Sequence, residues 1–175
     1  MFKKLTQLLS KSSNRLLSTT NNILTYSRSE QGSVDVVLMP VDLSELVSDL
    51  CSMLEIQAKA KGLTLTKELP PKLMAKVDRA ILEIILMNLI GNAIKFTKVE
   101  GVDVSLTEAE DYIQLSVSDT GKGISEDDLS RLFDPFFQAM DNDSFSNEGT
   151  GLGLSICRYY ADAMAAKIKV RSKVG

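Results

Sequence analysis

The chain has 175 residues, 44% of them apolar and 25% charged, with a formal net charge of −3; that is enough for one domain of ordinary size with a packed core, plus an appendage. No basic stripe with interleaved aromatics is present, so nucleic acid is not an expected partner, and the sequence shows neither a membrane-length apolar run nor a signal-peptide pattern. Histidine is absent, which excludes histidine-dependent triads, histidine-ligated zinc and a histidine phosphoryl acceptor within these residues.

Residues 2 to 29 are predicted to form one long helix. Leu5, Leu9, Leu16, Ile23 and Tyr26 follow three-four spacing, with Ser12 and Thr19 in the remaining seam positions. Alone, such a helix has little reason to stay folded, so it is expected to pack in a bundle or coiled coil. Gln31-Gly32-Ser33 ends it, and residues 34 to 41 read as a short extended link holding Pro40. Asp42 and Glu45 resemble a capping box. Leu43, Leu46, Val47, Leu50 and Leu54 then mark an amphipathic helix ending near Lys61-Gly62. Residues 63 to 69 alternate as a strand until Pro70-Pro71. Asp78 caps a strongly apolar helix running to Phe96. Residues 102 to 106 and 113 to 117 form two alternating strands joined by an acidic turn. Ser125 opens a short helix reaching Phe133, and residues 138 to 148 are polar and read as a mobile segment. A helix from 151 to 166 and a strand from Ile168 to Ser172 close the chain. Cys51 and Cys157 lie in apolar helical patterns and read as reduced core thiols. The order of elements fits an α+β fold, a two-layer sandwich with helices on one face of a mixed sheet.

Four segments carry chemistry. Asn88, Asn92 and Lys95 interrupt the apolar helix within an arc of roughly 60°, with Arg79 and Glu83 on the opposite side. Buried polar groups must be satisfied, either by other protein groups or by a polar ligand. Asp119 continues the inward parity of its strand, so its carboxylate is expected on the core side. There it either caps the turn at Thr120-Gly121 or accepts from a ligand's amino group, with Gly121 and Gly123 allowing close backbone approach. Phe133, Phe136 and Phe137 form an aromatic anchor. Gly149, Gly151 and Gly153 precede a helix and leave amide N–H groups that can meet an anion, although the spacing is not that of a P-loop.

Taken in order, Asn88-x3-Asn92-x2-Lys95-Phe96-Thr97, Asp119-x-Gly121-x-Gly123-Ile124, Phe133-Asp134-Pro135-Phe136-x-Gln138 and Gly149-Thr150-Gly151-Leu152-Gly153-Leu154 resemble the ATP-binding domain of sensor histidine kinases. They are similar to that family's N box, first glycine box, F box and second glycine box. Leu16-Leu17 and residues 21 to 27 resemble the second helix of its dimerisation and phosphotransfer domain, and Pro40 to Leu43 and Lys61 to Leu63 match its joints. The Asn92 to Thr97 form is similar to that of hybrid kinases carrying receiver domains.

The resemblance implies a histidine-kinase and gyrase-type ATPase fold over residues 34–175, preceded by a remnant of the phosphotransfer domain over 1–33. It implies binding of ATP with Mg2+ and, in the full-length protein, transfer of the γ-phosphoryl group to a histidine. Asn88 would hold Mg2+, and Asn92 and Lys95 would contact phosphates. Asp119 would accept from the adenine amino group, bordered by Gly121 and Gly123. Gly149, Thr150, Gly151, Leu152 and Gly153 would form a flexible lid that Phe133 and Phe136 anchor. The implied partners are a histidine-bearing phosphotransfer helix, a response-regulator receiver domain and a second copy in a homodimer. The implied location is cytoplasmic, whether or not the whole kinase is membrane-anchored. Three departures stand out: the acceptor-histidine helix is missing, Met164-Ala165-Ala166 replaces the usual Met-Gly-Gly, and the chain stops before the usual final strand. It is therefore expected to be a piece of a longer kinase that does not phosphorylate itself. The rival expectations are another ATPase of the gyrase B, MutL or heat-shock chaperone kind, and a degenerate kinase acting as a nucleotide-dependent regulatory module.

Overall fold

A computed structural model describes residues 6, 12, 13, 16, 17, 19–27, 34–138 and 149–174. The described residues up to 27 are all helical, as expected, and the rest of the predicted opening helix and the polar stretch 139–148 lie outside the described residues.

Strand β1 (Met39–Asp42) leads into helix α1 (Leu43–Ala60). Asp42 is the N-cap: its Oδ1 accepts from Ser44 N at 3.0 Å and Glu45 N at 3.4 Å, satisfying amides that a helix start leaves unpaired. Leu43, Leu46, Val47, Leu50, Cys51, Leu54 and Ala58 form the buried face. The helix ends at Lys61. Gly62 takes the left-handed conformation (φ 74) and Leu63 N bonds back to Ala58 O at 3.0 Å, the closing bond of a Schellman turn.

Strand β2 (Thr64–Glu68) follows, then β3 (Met74–Val77) and helix α2 (Arg79–Phe96). Asp78 caps α2 by accepting from Ile81 N at 3.1 Å, and its other oxygen accepts from Val37 N at 2.8 Å. Those amide bonds hold its carboxyl below the usual carboxylate range. Helix α2 is apolar nearly all round because it is covered on two sides. Leu86, Ile90, Ala93 and Ile94 join α1 and the sheet, whereas Ile81 and Ile85 join Cys157 and Ala161 with Val34, Val36 and Ile168 around them. Burial there pushes the Cys157 thiol up to about 12. Both cysteines are free and buried, so the expected reduced core thiols are present.

Strands β4 (Gly101–Glu108) and β5 (Ile113–Asp119) complete a three-stranded sheet in the order β2-β4-β5. β2 and β4 run parallel, with Leu65 opposite Val102, and β4 and β5 run antiparallel, with Val104 opposite Val117. Val102, Val104 and Leu106 bury against α1 and α2. This gives the expected α+β layering, with two differences. β1 and β3 form a separate antiparallel ribbon, Pro40 opposite Lys76; residues 34 to 41 were expected to be only a link. The strand expected at Ile168–Ser172 is not formed. That segment is tethered by a side-chain bond, Ile124 N to Ser172 Oγ at 2.9 Å, and among the described residues no backbone ladder holds it.

Helix α3 (Glu126–Arg131) is capped by Ser125, whose Oγ accepts from Asp128 N at 3.2 Å, and α4 (Gly153–Ala163) is shorter than the expected 151–166. Its end explains why: Ala165 has φ 55 and Ala166 N bonds to Ala161 O at 2.8 Å. The left-handed position that suits glycine is filled by alanine. Ala165→Gly is expected to stabilise the chain by about 0.5–1 kcal/mol, the steric relief less the added chain entropy. In thermal unfolding this raises the midpoint by roughly 1–4 °C; a lowered midpoint would rule out the left-handed turn.

Candidate nucleotide-binding site

The polar stripe of α2 lies along the glycine turn 149–153. Asn88, Asn92 and Lys95 are all half-buried. Asn88 Nδ2 donates to Ile84 O at 2.9 Å. A carbonyl only accepts, so this bond fixes which way the carboxamide points and turns Oδ1 outward. A Cβ added at Gly153 would stand 2.6 Å from that oxygen, and one at Gly149 would stand 3.4 Å from Lys95 Nζ. The stripe and the turn therefore run side by side in opposite directions, Asn88 against the start of α4 and Lys95 against Gly149. The seven residue steps from Asn88 to Lys95 span about 10 Å of helix. Lys95 Nζ also lies 4.6 Å from the centre of the Phe96 ring.

The aromatic segment grips the turn from the other side. Gly151 is left-handed (φ 69), and a Cβ there would be 2.6 Å from the Phe136 carbonyl carbon. Gln138 Nε2 donates to Gly149 O at 2.9 Å, and the Arg158 guanidinium of α4 stands 4.9 Å from the Phe133 ring centre. Phe136 itself is held at φ 63, a costly conformation for an aromatic residue. Leu152 is fully buried, and its amide bonds to Thr150 Oγ1 at 3.3 Å. The turn is thus a supported structure with its amides at the N-terminus of α4, where negative charge is favoured.

The opening helix also reaches this turn. Asn22 Nδ2 donates to Thr150 Oγ1 at 3.5 Å, and the Tyr26 and Phe136 rings meet edge to face at 5.7 Å. Between that helix and α2 lies a cleft of about 630 Å³ lined by Asn21, Asn22, Ala80, Glu83, Ile84, Met87 and Asn88. Glu83 was expected on the side away from Asn88; it reaches this same cleft while pairing with Arg79 at 2.9 Å.

Asp119 closes β5 opposite Val102. As expected, it shares the core-side face of its partner Val102, which is buried, but as the last residue of the strand it is itself exposed. Oδ1 accepts from Gly121 N at 2.9 Å, the turn-cap arrangement. Gly121 abuts the end of α2, where a Cβ would be 3.1 Å from Phe96 O. Gly123 (φ 74) lies against the backbone of Lys173, which leaves no room for a side chain. The structure therefore joins Asn88 and Lys95 to the 149–153 turn and joins the Asp119–Gly121 turn to the end of the same helix. Gln138, the last residue of the aromatic motif, ties that segment to the turn, and Asn22 and Tyr26 add contacts that motif spacing did not place there.

Residues 77–175, more than half of the chain, match the family described as histidine kinase-, DNA gyrase B-, and HSP90-like ATPase. The chain is similar to an uncharacterised sensor-like histidine kinase of Rhizobium meliloti (strain 1021), 37% identical over 170 residues that cover 96% of this chain and 32% of the relative. It is similar to the sensor histidine kinase GacS of Pseudomonas protegens, 38% identical over 95% of this chain and 19% of the relative. The signal transduction histidine-protein kinase BarA of Escherichia coli (strain K12) is 34% identical over 94% of this chain and 19% of its own length. Among solved structures, full-length ShkA in complex with AMPPNP superposes with a TM-score of 0.76 at 30% identity, covering 89% of this chain and 32% of that one. The chain belongs to this ATPase family and carries an ATP-binding domain of the histidine-kinase type. It spans a third or less of the length of these curated relatives.

Proposed function

We propose that the chain binds ATP with Mg2+ between α2 and the 149–153 turn and, within a longer protein, serves transfer of the γ-phosphoryl group to a histidine in two-component signalling. The observation that carries this reading is the facing of Asn88 Oδ1 to Gly153 and of Lys95 Nζ to Gly149. A triphosphate needs what that strip offers: a cation, carboxamides and backbone amides at a helix start. Lys95 and Asn92 would meet phosphate oxygens. Asn88 suits a hard divalent cation because its amide oxygen, not its nitrogen, points outward. Among the described residues no group of three or more His, Cys, Asp or Glu gathers as a metal site, so Mg2+ would be shared between Asn88 and the phosphates. Asp119, bordered by Gly121 and Gly123, would accept from the adenine amino group. Gly149, Thr150, Gly151, Leu152 and Gly153 would act as the lid, with Phe133 and Phe136 beneath it.

In the transfer, a histidine nitrogen forms a bond to the γ-phosphorus while the bond to the β–γ bridging oxygen breaks, leaving ADP. Such transfers depend on positioning and charge neutralisation more than on covalent help from the protein. No histidine stands among these residues, so the acceptor has to be supplied by a phosphotransfer helix. A receiver domain would take the phosphoryl group onward. The opening helix, with Leu16, Leu17, Ile23 and Leu24 exposed, would pair with a second copy. We place the unit boundary between residues 33 and 34 and the domain in the cytoplasm; among the described residues no helix is long and apolar enough to cross a membrane.

Calorimetric titration with AMPPNP tests the site. Asn88→Ala is expected to lose the Mg2+-dependent part of the affinity while the apolar helix stays folded. Equal affinity for both chains, with and without Mg2+, would refute the metal assignment. Labelled ATP tests the transfer. The chain alone is expected to remain unlabelled, and a separately made histidine-bearing helical hairpin to gain acid-labile, base-stable phosphate. Confirmed ATP binding without labelling of a folded hairpin would favour the regulatory-module reading.

A further inference from the structure

Helix α2 presents its phosphate-facing cation on its last turn, where helices tend to fray. The last carbonyls of a helix have no partner within it. Here Ile94 O and Lys95 O are both taken by one distant side chain: Lys61 Nζ donates to them at 2.8 and 2.7 Å. Lys61 is itself well fixed. It is the C-cap of α1, its own amide bonds to Ala58 O at 2.9 Å, and left-handed Gly62 and the Leu63–Ala58 bond lock the turn that follows. A fixed turn of one helix thus clasps the end of the other.

Two physical effects follow. The clasp keeps the turn bearing Lys95 wound, which fixes the root of that side chain. An ammonium at the negative end of the helix dipole also offsets the pull of those carbonyls on Lys95's own charge, leaving it directed toward Gly149. The same helix end is the wall against which Gly121 packs, through Phe96 O. We propose that Lys61 is a positioning residue for nucleotide phosphates, acting through Lys95. The inference rests on the reading of Lys95 as a phosphate contact.

The test compares Lys61→Met, Lys61→Arg, Lys95→Met and the double variant in the same chain. AMPPNP and adenosine binding are measured by calorimetry, and folding by circular dichroism. Lys95→Met is expected to weaken AMPPNP and spare adenosine. Lys61→Met is expected to weaken AMPPNP about threefold to tenfold, the scale of one charge lost from a helix end, again sparing adenosine. Lys61→Arg, which keeps donors for both carbonyls, is expected to restore most of the affinity. The double variant is expected to bind no worse than Lys95→Met alone, since the two act in series. Wild-type AMPPNP affinity in Lys61→Met beside an impaired Lys95→Met would overturn the proposal. So would equal losses for AMPPNP and adenosine, the mark of a general stability effect. An unimpaired Lys95→Met would instead sink the phosphate reading on which Lys61's role depends.

Discussion

Asp119→Asn is expected to weaken ATP binding about tenfold to a hundredfold, the loss of one charge-assisted hydrogen bond worth roughly 1.5–3 kcal/mol. The carboxylate already accepts from Gly121 N, but it offers about four lone-pair sites, so a single cap bond leaves it able to receive an adenine amino group. Asparagine would keep an oxygen for Gly121 and turn its own NH₂ toward the purine, donor against donor. The same geometry predicts discrimination between bases, because a carboxylate opposes the carbonyl that guanine carries at the corresponding position. Competition of ATP and GTP for a fluorescent analogue would read both effects. If folded Asp119→Asn matches the wild type for ATP, the carboxylate is a turn cap and nothing more.

Gly151→Ala is expected to reduce AMPPNP affinity by about tenfold or more while leaving the α1–α2–sheet core intact. Its φ of 69 already costs a side-chain-bearing residue about 1–2 kcal/mol, and the new methyl would meet the Phe136 backbone at 2.6 Å. A backbone cannot rotate out of the way, so the turn has to lift off the aromatic segment. Gly149, tied by its carbonyl to Gln138, would move with it, and the amides would no longer face Lys95. Gly91→Ala serves as control, since it also adds a methyl to a glycine but meets nothing within 4 Å. It should keep its affinity and stabilise α2 by about 0.5–1 kcal/mol. Full affinity in Gly151→Ala would mean that the turn is not part of the binding surface.

Local chemistry made much of this fold legible. Asp42, Asp78 and Ser125 announce helix starts because each side chain offers an oxygen to orphan amides, and all three do so here. The Asn88–Asn92–Lys95 stripe could be read because polar residues stand out in an otherwise apolar helix. The β1–β3 ribbon was harder to see. Its strands have four residues each, one contains Pro40, and half of their side chains are exposed, so alternation gives little signal. Residues 168–172 show the reverse: alternation is present, but a strand needs a ladder, and none is formed there. Parity placed Asp119 on the face of Val117 and of its partner Val102 yet could not show that the last residue of the strand is exposed. The contacts of Asn22 with Thr150 and of Tyr26 with Phe136 join residues more than a hundred positions apart, and periodicity carries no information about such pairs.

The Asp78 carboxylate links two events that are usually treated separately. One oxygen starts α2 and the other grips the incoming chain at Val37, while Val34 and Val36 are packed into the adjoining cluster. Among the described residues the opening helix meets the domain at the glycine turn through a long hydrogen bond, and at Phe136 beside it through a ring contact of about 0.5–1.5 kcal/mol. Val37 is thereby fixed on the N-terminus of the same 18-residue rod that carries Asn88 and Lys95. A change in how the incoming chain meets Val37 is therefore expected to reach Asn88 and Lys95 through that one rod.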